Sequence, residues 1–576
     1  MQPQPQPTAQ PPTRVERVLP GVRTLRSYQP RWLRGDLVAG IVLAAILVPQ
    51  GMAYAELAGL PPVTGLYTTI VCLVAYALFG PSRILVLGPD SSVSPLIFAA
   101  ITPLVVAGDD PGTAIALAGM MAVLVGLVEV GLGLGKLGFV ADLLSQEVQV
   151  GYMNGLAITI IVGQLPKLCG FSTDADNFID EVEAFFRGLD DVDTTTLVVG
   201  VATLAVLVLL PRVTRVIPAV LVAVLGATLA TALLDLDISR VGELPQGFPA
   251  PELPWTELGD VGPLLVAAVG VVLVSLTDTI ALSSSLAARR GEEVNANQEM
   301  VGIGTANVAA GFFQGFAVSA SSSRTPVAEQ AGAKSQLTGV IGAGLVLLLL
   351  VFFTSLLADL PQTALAAVVI AAALSLIDLS AFRRYRDVRP SALLLALVAT
   401  LGVVLFGVLE GILIAIGLSI GLFFRRNWWP HGEVLGRVPE REGWHSTTAE
   451  PEAEQESGVV VFRWEAPLFF ANAGIFRDQV RELVRTSHPR WVVLQCEAIT
   501  DIDVTAADML ERLDLELNAA GVHLAFVELR DRLRSLVYRY GLHDTLDREH
   551  FYESVEEALA DIDNGPDPAG TRDESS

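Results

Sequence analysis

The chain is poor in cysteine, in histidine and in charge, and each scarcity removes a class of function. The three cysteines, Cys72, Cys169 and Cys496, show neither a pairing pattern nor metal-ligand spacing, so no disulfide framework and no zinc site are expected. All six histidines lie after residue 430, which excludes a histidine proton relay anywhere before it. Charged residues make up 17% of the chain, against about 25% in a soluble globular protein. There is no nucleophile–base set, no metal cluster and no Walker motif, so an enzyme is not expected. No apolar leader with a cleavage site precedes the first long apolar run, and the Pro/Gln-rich residues 1–12 are expected to be disordered.

What fills the chain instead is apolar sequence: 52% of residues are hydrophobic. The excess stops near Arg425-Arg426, and the remainder has ordinary soluble composition. Two units are therefore expected, one in a bilayer and one in water. Of the net charge of −25, residues 427–576 carry −16 and residues 1–426 carry −9. That acidity solvates the C-terminal unit and the outer loops; nucleic-acid binding would require a basic face. The boundaries read as an N-terminal segment 1–35, a membrane unit 36–426, a polar linker 427–457, a soluble unit 458–563 and a disordered tail 564–576.

Crossing the hydrocarbon core takes roughly 20 apolar residues in a helix. Apolar runs between turn signals place segments near 36–55, 63–80, 93–106, 113–134, 143–168, 194–211 and 215–234. A second set falls near 262–288, 297–315, 320–331, 335–357, 363–379, 388–406 and 408–424, making seven plus seven. Arginines of the N-terminal tail (Arg14, Arg17, Arg23, Arg26, Arg31, Arg34) set the orientation. With that tail inside, alternate loops carry Arg83, Lys136, Arg212 and Arg215, Arg289 and Arg290, Lys334, the run Arg383 to Arg389, and Arg425 and Arg426. Asp109-Asp110 and the acidic stretches 170–193 and 235–261 fall outside. This pattern follows the positive-inside rule and puts both termini in the cytoplasm of a cell (inner or plasma) membrane. Trp428-Trp429 suits an interfacial anchor.

The third and tenth segments are too short to cross, and each occupies the same place in its half. They begin Gly88-Pro89-Asp90-Ser91-Ser92-Val93-Ser94-Pro95 and Ser319-Ala320-Ser321-Ser322-Ser323-Arg324-Thr325-Pro326. Paired interrupted segments point to a transporter's binding site. A helix that starts inside the membrane leaves its first N–H groups unpaired, and those donors attract an anion. The alternative is a pair of kinked helices in a packed bundle. Arg324 balances an anion's charge or pairs with a buried acid such as Asp278.

Several motifs here resemble the sulfate permease family, also called solute carrier family 26. They are Asp36-Leu37-Val38-Ala39-Gly40, Val48-Pro49-Gln50-Gly51-Met52-Ala53-Tyr54-Ala55, Gly59-Leu60-Pro61-Pro62, Gly80-Pro81-Ser82-Arg83, Asn297-Gln298-Glu299, Gly311-Phe312-Phe313-Gln314-Gly315-Phe316, Ser323-Arg324-Thr325 and Gly332-Ala333-Lys334-Ser335-Gln336-Leu337. The resemblance implies an α-helical polytopic membrane protein with a 7+7 inverted repeat and UraA-like core and gate domains. It implies elevator-type alternating access, a homodimer, and a C-terminal cytoplasmic α/β STAS domain with protein partners. Family substrates include sulfate, bicarbonate, chloride and dicarboxylates. Carried over residue by residue, the substrate site maps to Gln50, Tyr54, Asp90, Ser91, Ser321, Ser322, Ser323 and Arg324.

Asp278, in an otherwise apolar span, maps to the family's coupling position for sodium or a proton. Sodium-binding relatives often carry a hydroxyl one turn later, where this chain has Leu282, so the reading tips to a proton or to a structural pair with Arg324. Asp90 stands where many relatives have a threonine or an aromatic residue. It is either the cap of the third segment or a second proton carrier. Glu129, Glu329 and Glu410 are explained as well by helix-end or interhelical bonding as by transport. No tight cofactor is expected beyond the coupling ion.

Competing readings are an uncoupled exchanger or channel on the same fold and a membrane-anchored signalling protein. After residue 457, strands (459–464, 491–496, 522–527) alternate with helices (473–485, 504–519, 529–540, 554–562), the pattern of an α/β domain. Leu468-Phe469-Phe470-Ala471-Asn472 and Asp501-Ile502-Asp503-Val504-Thr505 resemble the STAS fold. Thr505 sits at that fold's phosphorylation position, or is simply an exposed hydroxyl on a helix.

Overall fold

The computed structural model describes residues 19–564 except 106–110, 140–144, 174, 176, 215–217, 440, 543–545 and 547–549. The tail arginines Arg14 and Arg17, the Pro/Gln-rich start, Asp109-Asp110, Arg215 and the tail after residue 564 lie outside the described residues.

Fourteen helices among the described residues coincide with the expected segments. They are α1 Leu33–Leu57, α2 Pro62–Phe79, α3 Ser94–Ile101, α4 Pro111–Leu134, α5 Gln146–Cys169, α6 Thr194–Val213 and α7 Ala219–Leu233. The second half has α8 Leu258–Arg290, α9 Ala296–Phe312, α10 Arg324–Gln330, α11 Leu337–Phe352, α12 Gln362–Leu376, α13 Pro390–Phe406 and α14 Val408–Trp428. Two strongly amphipathic helices, Phe178–Arg187 and Leu379–Val388, lie between them. Two short strands, β1 Leu87–Gly88 and β2 Ser319–Ala320, precede α3 and α10.

The helices sort into two groups by packing. In one, α4 lies along α9, α1 packs on α2 and α11, and α8 packs on α4 and α3. In the other, α5 packs on α12 and α13, and α6 on α7 and α12. Apolar side chains gain little from meeting each other in lipid, so close backbone approach through small residues drives such packing. On α4 and α9 the glycines recur at seven-residue spacing. A Cβ on Gly304 would lie 2.7 Å from the Gly126 carbonyl oxygen, and one on Gly311 would strike that of Gly119. Gly151 and Gly155 of α5 likewise face Ala396, Ala399 and Thr400 of α13.

The motif residues at the ends of the first group are structural joints. Asp36, fully buried, accepts from the Lys334 N–H at 2.6 Å, the Ser335 N–H at 3.1 Å, the Ser335 hydroxyl at 2.8 Å and the Thr338 hydroxyl at 3.0 Å. The start of α1 thus caps the start of α11, so two motifs far apart in the chain act as one element. Glu299 accepts from the Tyr76 hydroxyl at 2.6 Å and from Ser82, and Gln336 donates to the Ser82 and Leu85 carbonyls at 2.8 and 2.9 Å.

The chain divides into two units at Ser419/Ile420. The second unit holds β3 Gly432–Gly436, β4 His445–Ser446, β5 Val459–Trp464, β6 Trp491–Gln495, β7 His523–Val527 and β8 Phe551–Tyr552. These form a six-stranded sheet in the order β4-β3-β5-β6-β7-β8. The stretch β5 to β8 is parallel, and β3 joins β5 antiparallel. Helices α15 Ala473–Ser487, α16 Val504–Ala519, α17 Asp531–Arg539 and α18 Val555–Asn564 alternate with the strands. The expectation of a polar linker over residues 427–457 is corrected. They supply β3 and β4, with Glu433 opposite Arg463 and Leu435 opposite Val461. Their polarity reflects an edge of the sheet, which needs only one apolar face.

Candidate functional site

The site is created by β1 and β2, which pair antiparallel with Gly88 opposite Ser319. The starts of the two short helices are thereby brought side by side. Irregular backbone is tolerated at membrane depth only when buried in protein or lining a cavity. Here it is buried: Val86 N–H donates to the Thr325 hydroxyl at 3.1 Å, Ser321 N–H to the Val86 carbonyl at 3.2 Å, and Ala320 N–H to the Thr279 hydroxyl at 3.2 Å.

Arg324 opens α10 and is fully buried. Its Nη2 donates to Asp90 Oδ1 at 3.3 Å. Nε and Nη1 have no hydrogen-bond partner among the described residues. A Cβ on Gly88 would lie 2.7 Å from Nη1, so only glycine lets the guanidinium rest against this backbone. The sequence reading left the acid that pairs with Arg324 open, with Asp278 as its example; the acid it meets is Asp90, because β1 and β2 set the two short helices in register.

Asp90 uses its other oxygen on its own turn. Oδ2 accepts from the Ser92 N–H at 3.3 Å and the Ser92 hydroxyl at 3.1 Å, and its carbonyl accepts from the Ser94 N–H at 3.0 Å. It therefore organises the approach to α3 and neutralises Arg324 at once.

Gln50 and Tyr54 share a face of α1, which Gly51 and Gly65 bring against α2. The Tyr54 hydroxyl lies against Ser91, with the charges of Asp90 and Arg324 around it. Gln50 is buried, and its Oε1 has no hydrogen-bond partner among the described residues. Ser321 spends its hydroxyl locally, on Ser323 at 3.0 Å and the Arg324 N–H at 3.4 Å. Ser322 and Ser323 are exposed.

Asp278 stands apart from Arg324. Its Oδ1 accepts from Gln149 Nε2 at 3.0 Å, and Ser92 and the charge of Asp90 lie close by. Tyr152 donates to the Ser92 carbonyl at 2.9 Å. Gln149 and Tyr152, both on α5, border the anion pocket without belonging to it, and sequence reasoning misses them; two polar residues one turn apart in an apolar span are the available signal. Glu129 accepts from Ser275 at 3.0 Å and Asn307 at 2.7 Å, and Asn307 also accepts from the Val318 N–H at 2.7 Å. Its role is interhelical bonding just upstream of β2. Glu329 pairs with Arg290 at 2.9 Å, and Glu410 is exposed. A cavity of about 630 Å³ opens elsewhere, beside Arg83, Glu292 and Glu299, and none of the expected site residues lines it.

In the second unit Thr505 is exposed on the first turn of α16. Asp503 caps that helix through the Ala506 N–H at 2.8 Å, and Arg532 donates to Asp501 at 3.1 Å.

The chain matches the model of the sulfate permease family over residues 33–400 and that of the STAS domain over residues 450–558. It is 42% identical to a Mycobacterium tuberculosis protein named "Probable sulfate transporter MT1781", over 94% of this chain and 97% of that one. It is 30% identical to the Arabidopsis thaliana "Sulfate transporter 4.1, chloroplastic", over 95% of this chain and 82% of the relative. Among solved structures, the murine Slc26a9 anion transporter in the inward-facing state superposes with a TM-score of 0.88 at 21% identity, covering 98% of this chain and 97% of that one. The transmembrane domain of the cyanobacterial bicarbonate transporter BicA superposes at 0.60 with 25% identity, covering 68% of this chain and 99% of that domain.

Proposed function

The chain belongs to the sulfate permease family, as a multi-pass membrane anion transporter and not an enzyme, and we propose accordingly that it moves small oxyanions by coupled alternating access. Sulfate or bicarbonate is the proposed substrate, with dicarboxylates as a further class. The proposed driving ion is a proton or sodium held at Asp278, with Asp90 as its partner. The movement proposed is an elevator-like displacement of the group carrying α3 and α10 against the other, within a homodimer in the cell membrane, with both termini cytoplasmic. The STAS domain is proposed to meet a cytoplasmic protein, with Thr505 as its regulatory position.

The observation that carries this reading is Arg324. A guanidinium has five N–H donors, and this one is fully buried with Nε and Nη1 unpartnered among the described residues. A buried donor left unsatisfied costs about 1–3 kcal/mol. An oxyanion supplies the missing acceptors in a geometry that suits a guanidinium. Asp90 is the internal counter-charge: it holds Arg324 when no anion does and yields when one arrives. Neutralising or turning away Asp90 is then part of binding, which ties anion entry to a cation.

The test is uptake of labelled sulfate and bicarbonate by the full-length protein in proteoliposomes, with proton and sodium gradients imposed singly. Uptake that rises with one inward gradient and falls by roughly tenfold or more in Arg324→Gln is expected, the loss of one charge-assisted contact being worth that much. No flux of any small anion sinks the transporter reading. Flux indifferent to both gradients replaces coupling with uncoupled exchange.

A further inference from the structure

Gln149 and Tyr152 tie the two helix groups together by side-chain hydrogen bonds, whereas α1 meets the second group by packing on α12. Both lie on α5, which packs on α12 and α13. Their partners lie in the other group: Asp278 on α8, and the turn ahead of α3. Gln149 Nε2 reaches Asp278 Oδ1 at 3.0 Å, and Tyr152 Oη reaches the Ser92 carbonyl at 2.9 Å. The two ties converge on one turn of chain, because Ser92 also faces Asp278 and donates to Asp90. Tyr152 is 1% exposed, so its tie is shielded from solvent.

We propose that Gln149 and Tyr152 form a bridge between the two helix groups in which the Tyr152 arm is constant and the Gln149 arm is strong while Asp278 is a bare carboxylate and weak once a cation loads it. This rests on the coupled reading given above. The physical basis is the acceptor. An amide donating to a carboxylate makes a charge-assisted bond, roughly twice as strong as a neutral one. A proton or sodium ion on either oxygen of Asp278 neutralises the charge that strengthens this bond. Loading therefore loosens the bridge and frees one group to move past the other, and an unloaded carrier is held. Gln149 is a positioning residue: it sets whether movement requires the cation, not how tightly the anion is held.

Other charged and titratable groups around Asp278 leave it as the group that senses the cation. Asp90, ahead of α3, is already engaged by Arg324 of α10 and by Ser92. Glu129 of α4 meets α8 one turn earlier and is occupied by Ser275 and Asn307. Tyr152 of α5 donates away from Asp278, to the backbone.

Two measurements test the bridge in the full-length protein. The first compares wild type with Gln149→Leu and Tyr152→Phe in proteoliposomes loaded with labelled sulfate and, separately, bicarbonate. Gln149→Leu is expected to keep anion exchange at equal gradients, with KM unchanged within about twofold, and to lose roughly tenfold in gradient-driven accumulation. Tyr152→Phe should shift in the same direction by less. The second needs no substrate: spin labels at the exposed residues Glu293, on the loop before α9, and Asp387, near the end of the helix Leu379–Val388 that packs on α13, report the distance distribution between groups. In wild type that distribution should shift on acidification or on adding sodium, whichever cation loads Asp278, and in Gln149→Leu it should sit at the loaded position throughout. Gln149→Leu that accumulates anion and shifts with the cation like wild type overturns the bridge while leaving coupling intact. A wild type indifferent to both cations in uptake and in distance takes down the coupled reading, and the bridge with it.

Discussion

Asp90 does two jobs with two oxygens, and the consequences separate cleanly. Oδ1 meets Arg324 at 3.3 Å and Oδ2 meets the Ser92 N–H at 3.3 Å. Asparagine preserves the second contact, since its amide oxygen accepts from the Ser92 N–H as the carboxylate does, and removes the counter-charge from Arg324. Stripping one partner from a buried ion pair costs about 3–5 kcal/mol. Asp90→Asn is therefore expected to melt below wild type without anion and to recover most of that loss in sulfate. A thermal-shift series against sulfate concentration measures this; equal sulfate stabilisation of both proteins would show that Asp90 is not the surrogate for the substrate. In the second unit, burial pushes the Cys496 thiol upward, with the neighbouring charge of Glu528 adding to the effect. A thiol held protonated is a poor nucleophile. Cys496 in the isolated domain is expected to resist maleimide at mildly alkaline pH and to react promptly once urea unfolds it.

At the scale of elements, glycine spacing decides which helices meet. Gly304 cannot take a side chain while α4 stays where it is, because a Cβ would lie 2.7 Å from the Gly126 carbonyl. Gly131, on the same α4, has nothing among the described residues within 4 Å of the place a methyl group would occupy. Gly304→Val is expected to abolish the monodisperse peak in size-exclusion chromatography. Gly131→Ala is expected to leave the peak intact and to add up to about 1 kcal/mol of stability, the helix-propensity difference. The spacing of these glycines is visible in the sequence. Their pairing is not, because a small residue announces a close approach without naming the partner. The same holds for the short segments. Their length and Ser/Pro/Gly content mark them as interrupted, but their juxtaposition depends on β1 and β2, two residues each, which no periodicity reveals.

At the scale of the whole molecule the chain holds two units with separate cores. One core runs through the helices, from Ala39 and Leu43 to Ile412; the other lies around Phe462, Trp464 and Phe476. Each unit therefore has its own reason to fold. A fragment starting at Pro430 should give a single cooperative urea transition by circular dichroism, whereas a fragment starting at Val459 lacks β3 and β4 and should unfold at lower urea. Equal midpoints would mean that the two added strands contribute nothing. The sheet's edge escapes a sequence reading because β3 is only five residues long and β4 two, in a stretch rich in glutamate.

Composition, local periodicity and turn signals were enough to specify the number and order of the apolar helical segments, the two interrupted ones and the alternation of the α/β unit, and the resemblance of its motifs pointed to the family. These features are written in short windows of chain, which a single sequence carries in full. The identity of the acid that answers Arg324 came only from tertiary structure. Asp90 and Arg324 are 234 residues apart, Asp278 is far nearer in sequence, and the choice is made by the register of β1 on β2. Tertiary structure also brought α5 to the site at all, through Gln149 and Tyr152. Contacts of that kind depend on where whole helices are placed, and a single sequence records the residues that meet but not the meeting.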